Sequence, residues 1–322
     1  MNDFAARFAM ILLDTLVPIT VGYVLHRREW ISKAGIDWVI KFNVRVMFTL
    51  LSILSFWKLN MSGSLVMLPV VGLLMMFVPY ALMTWLTRRN PDPLERGALV
   101  TSGMLGNIGT LGGVLAFLLQ GPVGFGYVQI LATLSNVMLI LFNFPLCQKY
   151  RAAAEAADAH LPKSASAGKK RGFVSLFFTW NQVALLGMLL GIFLSSAHVH
   201  QPAWLTSLFA PLVHISAWIA FLPVGLLLNF KAAIKEARKT IVIIPMKFIC
   251  VPIVVWAAAR LTIDDVAMVN ALVICSACPT AINSVLACAL YGLKTDIAVS
   301  SIMTSTAVFA VVVCPVLVWL LA

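Results

Sequence analysis

The fold is decided by the stretch Gly103-Met104-Leu105-Gly106-Asn107-Ile108-Gly109-Thr110-Leu111-Gly112-Gly113, which lies inside an apolar segment long enough to cross a membrane. It holds five glycines in eleven positions, and each glycine inside a helix costs about 1 kcal/mol relative to alanine. In a bilayer, unwound backbone is tolerated only where protein or a water-filled cavity satisfies it. The stretch therefore predicts a helix interrupted at Asn107, with close helix packing as the alternative use of such glycines.

A second interruption is predicted late in the chain, at Cys278-Pro279-Thr280-Ala281-Ile282-Asn283-Ser284. Paired interruptions in the two halves of a membrane protein are typical of a transporter's binding site. Each break offers free N–H groups and the positive end of a half-helix dipole, which suit a small carboxylate. In the alternative interpretation, the two asparagines only satisfy the freed backbone. The residues predicted to contact substrate at the breaks are Gly106, Asn107, Thr110, Gly112, Pro279, Thr280 and Asn283.

The composition is that of a polytopic membrane protein. Of the 322 residues, 61% are hydrophobic and only 11% are charged, whereas soluble domains carry about 25% charged residues. The formal net charge of +11 is spread between apolar spans, which fits loop charge bias and argues against nucleic-acid binding. The chain has no phosphate-binding loop, no HExxH motif and no clustered acid, base, nucleophile or metal-ligand set, so we predict no enzyme activity, no metal and no cofactor.

Ten apolar segments are long enough to span a bilayer, which takes about 20 residues each. The predicted fold class is therefore an all-α integral membrane protein with ten transmembrane helices. The predicted spans are Phe8–His26, Gly35–Trp57, Leu65–Leu86, Leu94–Leu119, Gly124–Leu146, Phe173–Ala197, Leu205–Phe230, Ile241–Arg260, Met268–Tyr291 and Asp296–Leu321.

The loops predict the orientation and an internal repeat. Seventeen of the 23 Lys and Arg residues fall in the loops of one side, three on the other side and three inside spans. The positive-inside rule then places both termini outside and the longest polar connection, residues 147–172, in the cytoplasm. That connection separates residues 1–146 from residues 173–322, with five spans each. Because five is odd, a repeat between the two halves is inverted, and spans four and nine are its broken members.

Polar residues inside the spans give further site candidates. Gln129, Thr133 and Asn136 share one face of span five, and such a face either lines a cavity or joins helices. We take Gln129 and Asn136 as candidate substrate contacts.

Three of the charged residues within spans are site candidates, because ionisable groups there are costly and usually functional. Arg45 and Lys247 are candidates for attracting an anion. Asp14 is expected either to pair with Arg45 or to carry a coupling proton or sodium ion. Structural ion pairs and snorkelling to the interface are the alternatives for all three.

Some residues of spans six and seven also lead to expectations. Gly187 and Gly191 form a small-residue face on span six that is compatible with close helix contact. His214 is placed near an outer loop and interpreted as a solvated interfacial histidine. Trp218 is the exception among the tryptophans, since the others lie near predicted span ends.

Several motifs together resemble those of the auxin efflux carrier family, and the chain is closest in type to the bacterial members. The motifs are Pro18-Ile19-Thr20-Val21-Gly22-Tyr23-Val24-Leu25 before Arg27-Arg28, Gly106-Asn107 before Gly112-Gly113, the run Ala277–Ser284 continuing to Tyr291-Gly292, and Ser305 with Pro315. The resemblance implies a scaffold of helices 1, 2, 6 and 7, usually the homodimer interface. It also implies a transport domain of helices 3–5 and 8–10 that moves like an elevator. An organic anion would bind where helices 4 and 9 cross.

Departures from the family pattern bear on the substrate. Val114 stands where the family often has proline, and the middle connection is short. The resemblance to bacterial members favours a mono- or dicarboxylate such as malonate or malate, with an auxin-like aromatic carboxylate as the alternative. A passive channel or a substrate-sensing receptor in the cell membrane is the other interpretation of the same chain.

Overall fold

The computed structural model describes residues 2–59, 63–158, 183–226 and 236–321, and within them the chain is helical with no strand. Five helical segments are long and apolar enough to cross a membrane. They are Gly63–Leu86, Ile108–Ala157, Ala203–Pro223, Ile243–Thr262 and Thr295–Leu321. The protein is thus an all-helical, multi-pass membrane protein.

The α-helices are numbered here in chain order. They are α1 Asn2–Arg27, α2 Lys33–Phe42, α3 Phe48–Lys58, α4 Met67–Gly72, α5 Leu74–Leu86, α6 Pro93–Met104, α7 Gly113–Met138, α8 Phe144–Ala157, α9 Val183–Ser196, α10 Ala203–Leu226, α11 Val251–Thr262, α12 Val266–Ser276, α13 Asn283–Tyr291, α14 Thr295–Val308 and α15 Cys314–Leu321. Five π-helical segments join some of them: Asn43–Met47, Ile108–Gly112, Leu139–Asn143, Met246–Cys250 and Phe309–Val313. A bend at Gly121, with φ of 67°, divides α7 between the predicted end of span four and the predicted start of span five.

Three of the π-helical segments end two residues before a proline, namely Pro145, Pro252 and Pro315. Proline has no N–H and its ring crowds the carbonyl four residues earlier, which in each case lies inside the π-helical segment. The wider turn accommodates that carbonyl without ending the helix. This explains how each of these helices continues through its proline.

Two helix pairs pack closely through glycines. A Cβ atom on Gly22 of α1 or on Gly225 of α10 would collide with a backbone carbonyl of the other helix. Likewise, a Cβ on Gly187 or Gly191 of α9 would lie 2.7 Å from a backbone oxygen of α3. The small-residue face of α9 therefore makes a close helix contact, as predicted, and its partner is α3 of the same subunit.

The start of α6 is held by a charge cluster of loop residues. Asp92 caps α6, its Oδ1 accepting the N–H of Leu94 at 2.9 Å, while its Oδ2 lies 2.6 Å from Lys294 Nζ. Glu95 Oε2 lies 3.1 Å from Lys294 Nζ and 2.8 Å from Lys239 Nζ. Partial burial opposes the charged form of Asp92, but the hydrogen bonds from Lys294 and from the helix N–H groups outweigh it and hold the pKa of Asp92 below its usual value.

The helix of span five runs farther than predicted. We expected it to end at Leu146, but α8 continues to Ala157. In this added part of the helix, Arg151 pairs with Glu155 at 2.8 Å and donates to the carbonyl of Gly292 at 3.1 Å. Residues 159–182 and 227–235 lie outside the described part of the chain. The predicted beginning of span six and end of span seven therefore fall there.

Candidate functional site

The two predicted interruptions exist, and they pair with each other. Helical structure is interrupted between α6 and the π-helical segment Ile108–Gly112, and again between α12 and α13. The N–H of Asn107 donates to the carbonyl of Pro279 at 2.8 Å, and the N–H of Ala281 donates to that of Leu105 at 3.0 Å. These bonds form a short antiparallel bridge between Gly106 and Thr280. Four half-helices therefore end or begin at one place in the core.

The backbone carbonyls at the C-terminal end of α6 receive hydrogen bonds from other parts of the protein. Asn107 would normally bond the carbonyl of Gly103 but donates to Pro279 instead. Lys247, whose side chain is buried, takes its place, because its Nζ donates to Gly103 O at 3.1 Å and to Leu105 O at 3.2 Å. The hydroxyl of Thr280 donates to the carbonyl of Ser102 at 3.1 Å. A cation and a hydroxyl thus cap the negative end of this half-helix.

The second break is anchored from α14. Ser305 Oγ accepts the N–H of Thr280 at 3.0 Å and donates to the carbonyl of Ser301 at 2.6 Å. The carbonyl of Cys275, which Pro279 leaves without its usual donor, accepts the N–H of Cys278 at 3.2 Å. The backbone of this break is therefore held by neighbouring residues and does not use Asn283.

The two asparagines lie at the opposite, positive ends of the half-helices. Asn107 precedes the π-helical segment Ile108–Gly112, and Asn283 is the first residue of α13. Both side chains are half-buried, and neither makes a hydrogen bond to any described residue. The first N–H groups of a helical segment have no acceptor within it. The two side-chain amides and the N-terminus of the π-helical segment are therefore available to a ligand, whereas in α13 the N–H groups of Ser284 and Val285 bond the carbonyls of Ala281 and Ile282 at 3.0 Å. Neither asparagine amide satisfies the freed backbone.

A crevice reaches the crossing from the side of Lys247. It is narrow in this conformation, with an internal volume of about 10 Å³, which is room for about one water molecule. Its walls come from α4, α5, both sides of the first break, α7, α11 and α12, and include Met75, Met104, Gly106, Ser135, Lys247 and Ser276. The surface is mostly apolar with a few polar groups, which is common in binding sites for small molecules.

The other predicted contacts differ in how they are placed. Thr110 is half-buried in the π-helical segment, whereas Gly112 packs so that a Cβ would lie 3.1 Å from Cys278 Sγ. Gln129 is 8% exposed, lies beside Gly113, and its Nε2 has no hydrogen-bond partner. Asn136 is exposed. Gly112 and Thr280 thus have packing and bonding roles at the crossing.

Of the charged candidates, only Lys247 reaches the crossing. Arg45 lies in the π-helical segment Asn43–Met47, which packs against α9 and α10. We expected that Asp14 could pair with Arg45, but it does not. Its carboxylate pairs with Nδ1 of His214 and accepts the indole N–H of Trp218 at 2.9 Å.

His214 is also placed differently from the prediction. It lies in the middle of α10 rather than near a loop, and Trp218 follows it one turn later. Sequence reasoning missed this pair of partners for Asp14. The unusual mid-span position of Trp218 was the available signal, since an indole N–H inside a membrane needs an acceptor.

The comparison with known families agrees with this geometry. The model of the family described as membrane transport protein matches residues 8–319, almost the whole chain. The chain belongs to this family, which is that of the auxin efflux carriers. For this membrane transport protein, the family match therefore confirms the resemblance that the break motifs indicated. No curated protein matches the chain.

Proposed function

We propose that this membrane transport protein is a secondary carrier of a small organic anion, a mono- or dicarboxylate such as malonate or malate. The main support for the proposal is that the negative and positive helix ends at the crossing differ in whether other residues cap them. Lys247 and Thr280 cap the negative carbonyl end of α6, while the positive ends at Asn107 and Asn283 keep unbonded amides. Such a site favours an anion over a cation, because helix N-termini attract negative charge.

Lys247 adds to this preference. No carboxylate lies within ion-pair distance of its ammonium group among the described residues. A buried ammonium held only by carbonyls leaves positive potential in the adjoining crevice. The anion's carboxylate would take the Asn107 and Asn283 amides, with Gln129 and Thr110 nearby.

The ten-span inverted repeat is part of the proposal, and contacts between loops support it. Lys294, Asp92, Glu95 and Lys239 join three loops that we assign to the cytoplasmic side. The hydroxyl of Tyr127 donates to Asp265 at 3.1 Å, joining the start of the predicted span five to the loop before α12, both of which we assign to the outer side. Asp92 caps α6 and Asp265 caps α12 at the same spacing from Asn107 and Thr280. These matching positions are what an inverted pair of five-helix units would produce.

Movement of the crossing against a scaffold is the proposed mechanism. The glycine-packed pairs α1–α10 and α3–α9 form a rigid scaffold, which we also propose as the homodimer interface. Where this scaffold meets the helices of the crossing, aromatic rings dominate. The ring of Phe209 in α10 lies tilted to that of Phe117 and edge-on to that of Phe125 in α7, with centroids 5.4 Å and 5.5 Å apart. Among the described residues, Ser55 of α3 donates one hydrogen bond across this boundary, to the carbonyl of Pro122 at 2.8 Å. An interface with few hydrogen bonds allows the transport domain to slide and expose the site alternately.

Counterflow in proteoliposomes tests the carrier proposal. Vesicles are loaded with unlabelled malonate, malate, succinate or indole-3-acetate, and uptake of the matching labelled anion is followed. A carrier gives a transient overshoot with one anion. A passive channel gives uptake without overshoot or saturation, and a receptor binds the anion without flux; either result contradicts the proposal.

Two variants link the flux to the crossing. A hydrogen bond to a charged group contributes about 1.5–3 kcal/mol, so Asn107→Ala and Asn283→Ala should each lower transport about 10- to 100-fold. Asn270→Ala, one turn into α12 and away from the breaks, is the matched control. Wild-type flux in both crossing variants would show that the two asparagines do not bind the transported anion.

A further inference from the structure

The pair of Asp14 and His214 lies at the centre of two long helices. Asp14 is near the middle of α1 and His214 near the middle of α10, and these helices pack along their lengths. Asp14 is 6% exposed, so its carboxylate is removed from water. Ionisable groups at this depth are costly, and proteins retain them in membranes mostly where they act on ions or protons.

The local backbone adds a further acceptor. Pro18 in α1 has no N–H to offer the carbonyl of Asp14, four residues earlier. Asp14 therefore presents both a carboxylate and a freed carbonyl on the same turn. The carboxylate already accepts Trp218 Nε1–H and faces His214 Nδ1. The other ring nitrogen, Nε2, has no hydrogen-bond partner among the described residues, and one third of the His214 side chain is exposed.

The charge of the pair depends on one proton. With a neutral imidazole, the pair has a net charge of −1 in a medium of low dielectric constant. When Nε2 accepts a proton from water, the pair becomes an imidazolium and a carboxylate with no net charge. Since burial penalises net charge, the proton belongs to the pair as a unit.

Other titratable groups do not take over this role. The segments packed against α1 and α10 carry Lys41, Arg45, Lys58, Tyr127 and Cys314, and α1 itself carries Tyr23. None of them makes a recorded hydrogen bond or ion pair with Asp14 or His214. The ring of His214 instead meets Phe117 edge-on, with centroids 6.3 Å apart. Phe117 belongs to the half-helix that begins at the first break, and α10 also contacts the π-helical segment Ile108–Gly112.

We propose that Asp14 and His214 form a proton-binding site that couples proton movement to anion transport. The coupling part rests on the proposed function, whereas proton binding itself does not. Removing the net negative charge beside the crossing strengthens anion binding there, and by linkage the bound anion strengthens proton binding by the same factor. One proton then crosses with each anion, taken up by Nε2 from water on one side and released to water on the other.

A pH gradient across proteoliposomes tests the coupling. With the lumen one pH unit more alkaline, a carrier that moves one proton with a monoanion accumulates it up to about tenfold. An ionophore that collapses the gradient should abolish this accumulation. His214→Gln and Asp14→Asn should keep counterflow at equal pH but lose accumulation driven by the gradient. His200→Gln, an exposed loop histidine, is the matched control. Gradient-driven accumulation that persists in both dyad variants would overturn the proposal.

Trp218 provides a test that needs no substrate. Its indole N–H bonds to Asp14, so its emission should change as the pair gains a proton. The purified wild-type protein should show a pH-dependent change in tryptophan emission that is absent in His214→Gln and in Trp218→Phe. Identical titrations in wild type and His214→Gln would refute proton binding. A titration that differs, in a protein without counterflow for any anion, would refute the carrier function and leave the proton site standing.

Discussion

Replacing Lys247 with methionine tests how the crossing is held together. Methionine has a similar length and no charge, so the change removes two hydrogen bonds without opening a large cavity. Leu105 O keeps the N–H of Ala281 as a donor. Gly103 O keeps none, because the N–H of Asn107 is donated to Pro279. One buried carbonyl is thereby left without a partner.

The size of the effect follows from these contacts. An unsatisfied buried carbonyl costs about 1–3 kcal/mol. Part of this cost is offset because the buried ammonium no longer has to be desolvated. The expected net loss of stability is therefore about 1–2 kcal/mol. The anion also loses the attraction of one charge: at an effective dielectric constant of about 20, a unit charge at a separation of about 8 Å contributes about 2 kcal/mol, so we expect a loss of about 30-fold in affinity.

Two measurements separate these effects. Thermal unfolding in detergent reports the stability of the crossing, and half-saturation of counterflow reports affinity for the anion. Lys247→Arg is the matched control, since it keeps the charge and can donate to the same carbonyls. A methionine variant whose half-saturation stays within about twofold of wild type would refute the electrostatic role of Lys247. An unchanged melting temperature would refute the claim that the carbonyl of Gly103 depends on Lys247 for its hydrogen bond.

Three further predictions concern stability, each read as a change in melting temperature. Because the pKa of Asp92 is held below its usual value, the contribution of its carboxylate to stability is complete above the usual pKa and is lost as the pH falls through the lowered pKa. Asp92→Asn keeps the helix cap but should abolish this acid-dependent loss of stability, which is worth under about 1 kcal/mol at this partly exposed site. Gly225→Ala should destabilise by about 1–3 kcal/mol by forcing α1 and α10 apart, whereas Gly63→Ala, with open space around it, should be neutral. Ser305→Ala leaves the N–H of Thr280 without its acceptor and should cost about 1–3 kcal/mol. A melting temperature unchanged by any one of these substitutions would contradict its explanation.

The crossing was predictable because its signals are local. Glycine spacing and Pro279 weaken a helix wherever they stand, and a membrane then demands a partner for the exposed backbone. Both breaks therefore lie where the sequence predicted them, and the family match agrees. Helix boundaries were predicted less well, as the continuation of α8 to Ala157 shows. Hydropathy ends a span at the membrane surface, but helical hydrogen bonding does not have to stop there.

By itself, the sequence determined the all-helical membrane character, the two interruptions and their asparagines, since apolar length, glycine and proline act over a few neighbouring residues. Only the tertiary structure decided which partners the polar side chains take. Asp14 meets His214 across 200 residues of chain, and Lys247 reaches Gly103 across 144. The glycine face of α9 likewise finds α3 within the same subunit. Such pairings depend on how helices rotate and pack against one another, and no local pattern of residues specifies that geometry.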